Sequence, residues 1–357
     1  MRPTQVLIDL SALRHNLIQV RKAAPGCKVM AAVKADAYGH GLVRAAQALA
    51  DADGFGVAAI EEALQLRQAD IGAPITLLEG FFHVDEFPLI DQHRLDLVLH
   101  QPWQIEALEQ YRFSQPVRVW LKLDTGMHRL GFAPGMATEW WKRLRAIPSV
   151  IPVGQMTHLA CADELENEST RKQLALFAKE TRELDGEKSI ANSAGILGWP
   201  DSHGDQVRPG IMLYGTSPFI SGRAAKHNLR PVMTFSSQLI AIEQRKQGEA
   251  IGYGATWRCP ETMPVGVVAV GYGDGYPRHA PSGTPVLVNE TVVPLIGRVS
   301  MDMITVDLRR QPEARVGDPV VLWGEGLPAE EVAEHAGTIT YELFSGVTSR
   351  VRCLERG

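Results

Sequence analysis

The 357-residue chain is predicted to be α/β: an N-terminal (β/α)8, TIM-like barrel over residues 1–230, then a mostly antiparallel β domain over residues 231–357. Three observations lead there. About eight short β-rich runs alternate with helical patterns up to about Pro231. Past that point the long helical patterns stop, and β-runs alternate with Gly, Pro and Asp turns. The length also exceeds one ordinary compact core, which favours a large domain with a smaller one.

The elements follow in order. Ser11 is a plausible N-cap for SALRHNLIQVRKA, which puts Leu13, Leu17 and Val20 on one helical face. VMAAV then forms a strand ending at Lys34, and a helix over roughly Gly41 to Ala52 leads to FGVAA. An EEALQLRQA helix leads to ITLLE, Ile75 to Glu79. DLVL, Asp96 to Leu99, precedes a helix starting near Pro102, and VRVWLKL, Val117 to Leu123, precedes one starting near Pro134. VGQMTHLA, Val153 to Ala160, precedes a charged helix through Lys172 and Leu184, and SIAN and VRPGIMLYG close the series. An open doubly wound sheet would want a glycine-rich phosphate loop after its first strand, and no GxGxxG stands there. In the second domain VGVVAV, PVLV, VVPLIG, MITVDL and PVVLW read as strands, with AEEVAEHAG as one short helix. No linker or repeat separates the parts, so the domains are expected to pack together.

Composition narrows the function. Hydrophobic residues make up 45%, charged residues 22% and the net charge is -5, with both signs interspersed. Such a chain offers no basic field to nucleic acid and no polybasic patch to a membrane surface. Cys27, Cys161, Cys259 and Cys353 form no CxxC pair. They read as buried thiols of a reducing compartment, with no disulfide framework and no metal site. The N-terminal stretch has no apolar signal region, and no run is long enough to span a bilayer. A cytoplasmic protein is expected.

In a (β/α)8 barrel the reactive residues gather where strands end. Here those positions hold Lys34, Lys122 with Asp124, His158, Asn192 with Ser193, and Arg208. A lone strand-end lysine ordinarily snorkels to water. An amine beside its own buried strand is also easily desolvated, and so becomes able to attack a carbonyl. Five strands ending in reactive or phosphate-competent groups are hard to ascribe to solvated edges. RPGIMLYG adds backbone N–H groups beside an arginine, suited to a phosphate. A phosphorylated aldehyde cofactor in imine linkage to Lys34 fits these parts.

The motifs KADAYGHG (34–41), LDTGMHRLG (123–131), THLACADE (157–164), RPGIMLYG (208–215), GYGATW (252–257), GYGDGYPR (271–278) and GRVSMDM (297–303) run in order through nearly the whole chain. Together they resemble the alanine racemase family. The resemblance implies a pyridoxal 5'-phosphate enzyme that interconverts L- and D-alanine, for peptidoglycan or alanine catabolism. It also implies a homodimer in which each active site borrows residues from the other subunit.

Carried over by motif, Lys34 matches the lysine that holds the cofactor and serves as one base. Tyr253 matches the opposite base, contributed by the partner. Inverting a stereocentre through a planar carbanion calls for proton removal on one face and delivery on the other. Arg208 matches the residue facing the cofactor's pyridine nitrogen, and His158 joins it in a chain that would favour the phenolate of Tyr253. Tyr38, Ser193, Gly210 and Ile211 match the phosphate site, with Asn192 adjacent. Arg129 and the backbone of Met301 match the receivers of the substrate carboxylate. Lys122 aligns with a lysine often carbamylated in the family, and Tyr272 and Asp302 match residues at the substrate entrance. One departure stands out: Ser349 precedes Arg350 and Val351 where many relatives have a tyrosine, which implies a wider entrance and a weaker phosphate contact. A broad-specificity amino-acid racemase is therefore the nearest alternative. A barrel decarboxylase would place a carboxylate opposite the pyridine nitrogen, and a non-catalytic cofactor carrier would not need the β domain.

Overall fold

The computed structural model describes residues 2–357. Eight parallel strands close a barrel: β2 (Lys28–Ala32), β3 (Gly54–Val57), β4 (Ile75–Leu77), β5 (Asp96–Leu99), β6 (Val117–Lys122), β7 (Val150–Met156), β8 (Glu187–Ser189) and β9 (Gln206–Val207). Each pairs with the next, and β2 pairs with β9 through Lys28↔Gln206 and Val29↔Val207 to complete the ring. The strands are short and apolar because both faces are covered. In β5, Leu97 and Leu99 join the main core while Val98, between them, belongs to a separate cluster with Trp120, Val153 and Met156. Alternation thus sends one set toward the helices and the other into the barrel. The inner cluster packs against Leu78, which with Met156 also lines the cavity at the barrel mouth.

A first strand, β1 (Gln5–Asp9), went unnoticed in the sequence. It pairs antiparallel with β10 (Met233–Arg245), Val6 opposite Phe235, and parallel with β18 (Arg352–Arg356), Val6 opposite Cys353. Residues 5–9 therefore extend the second sheet, although they precede the barrel in the chain. The remaining strands are β11 (Ala250–Ile251), β12 (Trp257–Arg258), β13 (Met263–Val268), β14 (Pro285–Val288), β15 (Thr291–Ile296), β16 (Ile304–Asp307) and β17 (Pro319–Trp323). The large sheet runs β13-β16-β15-β14-β17-β10-β1-β18, and the long β10 also reaches β13; every pairing except β1–β18 is antiparallel.

Some local readings change. The first helix runs Leu10–Ala23 and is capped by Asp9, which accepts from the Ala12 N–H at 2.9 Å; Ser11 donates to Asp9 and does not cap. Two short helices, Ala329–Ala336 and Thr340–Ser345, stand where one was expected. The four cysteines are unpaired, but only Cys259 is buried, and Cys353 is exposed. No helix among the described residues is long and apolar enough to cross a membrane.

Candidate active site

Lys34 lies just beyond β2 and opens an unusual turn. Ala35, Asp36, Ala37 and Tyr38 all have φ between 52° and 55°, a left-handed run without glycine. Each such residue costs about 1–2 kcal/mol because Cβ crowds the carbonyl oxygen. Neighbours hold the run in place. The Ala35 N–H donates to Glu62 Oε1 at 2.6 Å, the Ala37 N–H to Val33 O at 2.8 Å, and the Leu42 N–H to Asp36 Oδ1 at 2.7 Å. Gly39 follows with φ +77, and a Cβ there would strike the Phe344 carbonyl.

A cavity of about 580 Å³ opens at the barrel mouth. Of the barrel residues singled out from sequence, Lys34, Tyr38, Lys122, Arg129, His158, Asn192, Ser193, Arg208, Gly210 and Ile211 line it, and Asp124 does not. Glu79 and Tyr341 line it too, and sequence reasoning missed both. Glu79 was within reach, because it ends the strand run ITLLE in the position that marked Lys34 and Lys122. Tyr341 had no such signal, since it comes from the unrecognised helix Thr340–Ser345.

The charge of the cavity is lopsided. Four cations, Lys34, Lys122, Arg129 and Arg208, face one carboxylate, Glu79, a net of three positive charges. Burial, with the cations Arg208, Arg129 and Lys34 nearby, pushes the Lys122 amine down to about 8. Burial and the same cations hold His158 well below the usual histidine range, so its ring is neutral and offers no positive charge to a phenolate. Arg208 is buried; it donates to Ser189 Oγ at 2.6 Å, Thr157 O at 2.5 Å and Ile190 O at 3.2 Å. Burial lowers it to about 10, which leaves it charged at neutral pH.

At the other end, Ser193 Oγ accepts the N–H groups of Gly210 (2.9 Å) and Met212 (3.3 Å), and Asn192 accepts from Gly195 N–H at 2.9 Å. Tyr38 stacks on Tyr214 with ring centroids 4.7 Å apart, and Tyr214 is anchored by donating to Ala32 O at 2.9 Å. A Cβ on Gly210 would come within 2.5 Å of Tyr38 Oη, so this corner of the cavity needs a bare backbone. Hydroxyls and backbone N–H groups at a glycine suit a phosphate. The loop after β6 is braced by Asp124 Oδ1, which accepts from Gly126 N–H (3.0 Å) and His128 N–H (2.9 Å), and it presents Arg129.

Tyr253, Tyr272, Met301 and Asp302 lie apart from this cavity, in loops of the second domain; Tyr253 is 67% exposed and Met301 53%. Tyr253 sits between β11 and β12. The other two loops are joined: Tyr272 N–H donates to Ser300 O at 3.0 Å and Gly273 N–H to Met301 O at 2.8 Å. Ser349 is exposed and does not line the cavity, whose wall carries Tyr341 with its ring 5.8 Å from that of Tyr38.

Comparison with known proteins gives concordant matches. The family model described as alanine racemase, N-terminal domain, matches residues 8–218, and the C-terminal domain model matches residues 232–354. The chain is 54% identical to the alanine racemase of Pectobacterium carotovorum, covering 98% of each chain. It is 56% identical to that of Nitrosococcus oceani, covering 97% of this chain and 98% of the other. Among solved structures it resembles a biosynthetic alanine racemase from Pseudomonas aeruginosa (TM-score 0.98, 48% identity) and an alanine racemase from Acinetobacter baumannii (TM-score 0.95, 38% identity), each covered in full.

Proposed function

The chain belongs to the alanine racemase family, and on that premise we propose that it interconverts L-alanine and D-alanine, using pyridoxal 5'-phosphate at the barrel mouth and a second copy of the chain to complete each site. The observation that carries this reading is the cavity's net of three positive charges around a lysine amine. A phosphate of nearly two negative charges and an amino-acid carboxylate would together balance it. The corner closed by Gly210, Tyr38 and Ser193 fits the phosphate, since a Cβ on Gly210 would fill it.

When bound through Lys34, the cofactor supplies an electron sink that acidifies the substrate's Cα–H. The protein's own groups do the rest. Tyr38, Ser193 and the backbone of Gly210 and Ile211, supported by Asn192, hold the phosphate end. Arg208, charged and already spending its donors on three acceptors, would oppose a second positive charge on the pyridine nitrogen and so favour reprotonation over other fates of the carbanion. Arg129 pairs with the substrate carboxylate through its planar fork, aided by the backbone of Met301 of the partner subunit.

Released when the substrate's amine takes its place, Lys34 Nζ would remove or return the α-proton on one face. Tyr253 Oη of the partner subunit does so on the other, which gives both enantiomers a path. An exposed tyrosine far from its own chain's cavity is what such sharing calls for. With His158 neutral, the charge that favours the phenolate has to come from the arginines and lysines of the cavity. Tyr272 and Asp302 of the partner subunit would border the entrance. The four unpaired cysteines accord with a cytoplasmic location.

Polarimetry or circular dichroism with purified protein and cofactor tests the reading. Either enantiomer of alanine should decay to the same optically inactive end point. An enantiomer that keeps its full signal would overturn it.

A further inference from the structure

We infer that Glu62 is a positioning residue for Lys34: its carboxylate holds the left-handed turn that directs the lysine amine into the cavity. The inference rests on the reading of Lys34 given above. Four successive non-glycine residues in a left-handed conformation do not hold themselves. The turn's first N–H, on Ala35 next to Lys34, donates to Glu62 Oε1 at 2.6 Å, a contact made by a different strand-and-helix unit of the barrel.

Helix capping alone does not account for Glu62. It is the third residue of the helix Ile60–Gln68, where a glutamate ordinarily turns back to satisfy its own helix start. One oxygen does so: Oε2 accepts from Ala58 N–H at 2.8 Å and from Ala59 N–H at 3.4 Å. The other oxygen is diverted to Ala35, in the turn that follows the neighbouring strand β2. The carboxylate thus ties the end of β3 to the residue after the amine. Asp36, the carboxylate within the turn, is turned the other way, its Oδ1 accepting the Leu42 N–H at 2.7 Å.

Without the carboxylate, the Ala35 N–H loses its acceptor and the strained run is free to relax where the lysine departs. In the phosphate corner Tyr38 ends the same turn but is held by its stack on Tyr214, and Ser193 and Gly210 belong to other strand ends. A loss of aim should therefore fall on turnover and on bond formation at Lys34 more than on cofactor capture or substrate affinity. A displacement of about 1 Å at a reacting group can cost roughly 100-fold.

The test compares Glu62→Ala and Glu62→Gln with the parent dimer loaded with pyridoxal phosphate. Asp9→Ala, which removes the cap at Ala12 and the ion pair with Arg356, serves as a control for a general loss of stability. Two quantities are read: kcat and KM for alanine, and the yield of cofactor trapped on Lys34 by borohydride, located by peptide mass mapping. Glu62→Ala should lose about 10- to 100-fold in kcat with KM changed by less than about threefold, and its trapping at Lys34 should slow in parallel. Glu62→Gln, with one acceptor oxygen for two duties, should fall between, and Asp9→Ala should keep the parent kcat. If Glu62→Ala does not fold, Glu62→Gln decides on the same readings. Parent-like turnover and trapping in the Glu62 variants, or losses no larger than those of Asp9→Ala, overturn the inference. A parent protein that traps no cofactor on Lys34 overturns the reading of the site itself.

Discussion

Arg350 Nε lies 2.9 Å from Asp274 Oδ1, and Asp274 is wholly buried while Arg350 is partly exposed. The pair is the centre of a small ionic network. Arg2 donates to Asp274 Oδ2 and to Asp302 O, both at 2.7 Å, and Arg350 reaches Asp302 Oδ1 at 2.6 Å. Asp274 Oδ2 also accepts the Gly271 N–H at 2.9 Å. Residues near both chain ends therefore brace the two loops that carry Tyr272 and Met301.

Removing Arg350 should be felt in those loops. Arg350→Ala leaves Asp274 with Arg2 as its sole cation and should lower the urea concentration at which the protein unfolds. Because the loops are proposed to complete the partner's site, KM for alanine should rise more than kcat falls. An unchanged KM would detach the network from substrate binding.

The Gly210 corner gives a sharper expectation. Gly210→Ala places a methyl 2.5 Å from Tyr38 Oη, and Tyr38 cannot simply swing aside because its ring is stacked on Tyr214. The variant should bind pyridoxal phosphate at least about tenfold more weakly, a cost of roughly 1.4 kcal/mol, with its far-ultraviolet circular dichroism unchanged. Fluorescence titration of apoprotein with the cofactor reads the change. Parent-like affinity would place the phosphate elsewhere.

Much of this site was legible because barrel topology converts strand ends into neighbours. Lys34, Lys122, His158, Asn192 and Arg208 are far apart in the chain, yet each follows a parallel strand, and the ring closed by β2 and β9 brings them to one mouth. What escaped notice depends on contacts with no periodic signature. β1 is only five residues long and runs directly into a helix, and Val6 and Ile8 reveal themselves as a strand only against Phe235 and Met233 on one side and Cys353 and Glu355 on the other. Tyr341 enters the cavity from a short helix after the last recognised one. The space expected at Ser349 is thus bordered by a tyrosine eight residues earlier in the chain. Nothing in the EEALQLRQA run marks Glu62, because its diverted oxygen is a matter of tertiary geometry alone.

Lys122 should leave a mark on stability against pH. Its amine is brought down to about 8 in the folded chain from 10.5, chiefly by burial, then by Arg208, Arg129 and Lys34. Between those two values the unfolded chain binds more protons than the folded one, so this group makes stability rise with pH from about 8 to 10.5. Lys122→Met should flatten that part of the profile in cofactor-free protein, as seen by urea unfolding at successive pH values. Bound phosphate and carboxylate would favour the charged amine and shrink the effect. The neutral amine present near pH 8 is also the form that can take up carbon dioxide. Activity that rises with added bicarbonate in the parent but not in Lys122→Met would mark a carbamate facing Arg129. A parent pH profile matching that of Lys122→Met would remove the residue from this role.

The proposed sharing of the site is open to a direct test because the two residues proposed as bases sit in different domains. Lys34→Ala should abolish both turnover and the visible imine band, whereas Tyr253→Phe should keep the band and lose most of its activity. Tyr253 is 67% exposed in the single chain, so removing its hydroxyl should leave folding of the subunit intact. Each variant homodimer then lacks one base at both of its sites. In a heterodimer of the two, one site lacks both bases, while the other pairs an intact Lys34 with an intact Tyr253. Mixing under conditions that exchange subunits should therefore restore up to about half the parent activity per heterodimer, because one of its two sites is whole. Mass spectrometry establishes that heterodimers have formed. Heterodimers with no activity would mean that Lys34 and Tyr253 do not meet across the interface, and the opposite base would have to be sought within a single chain.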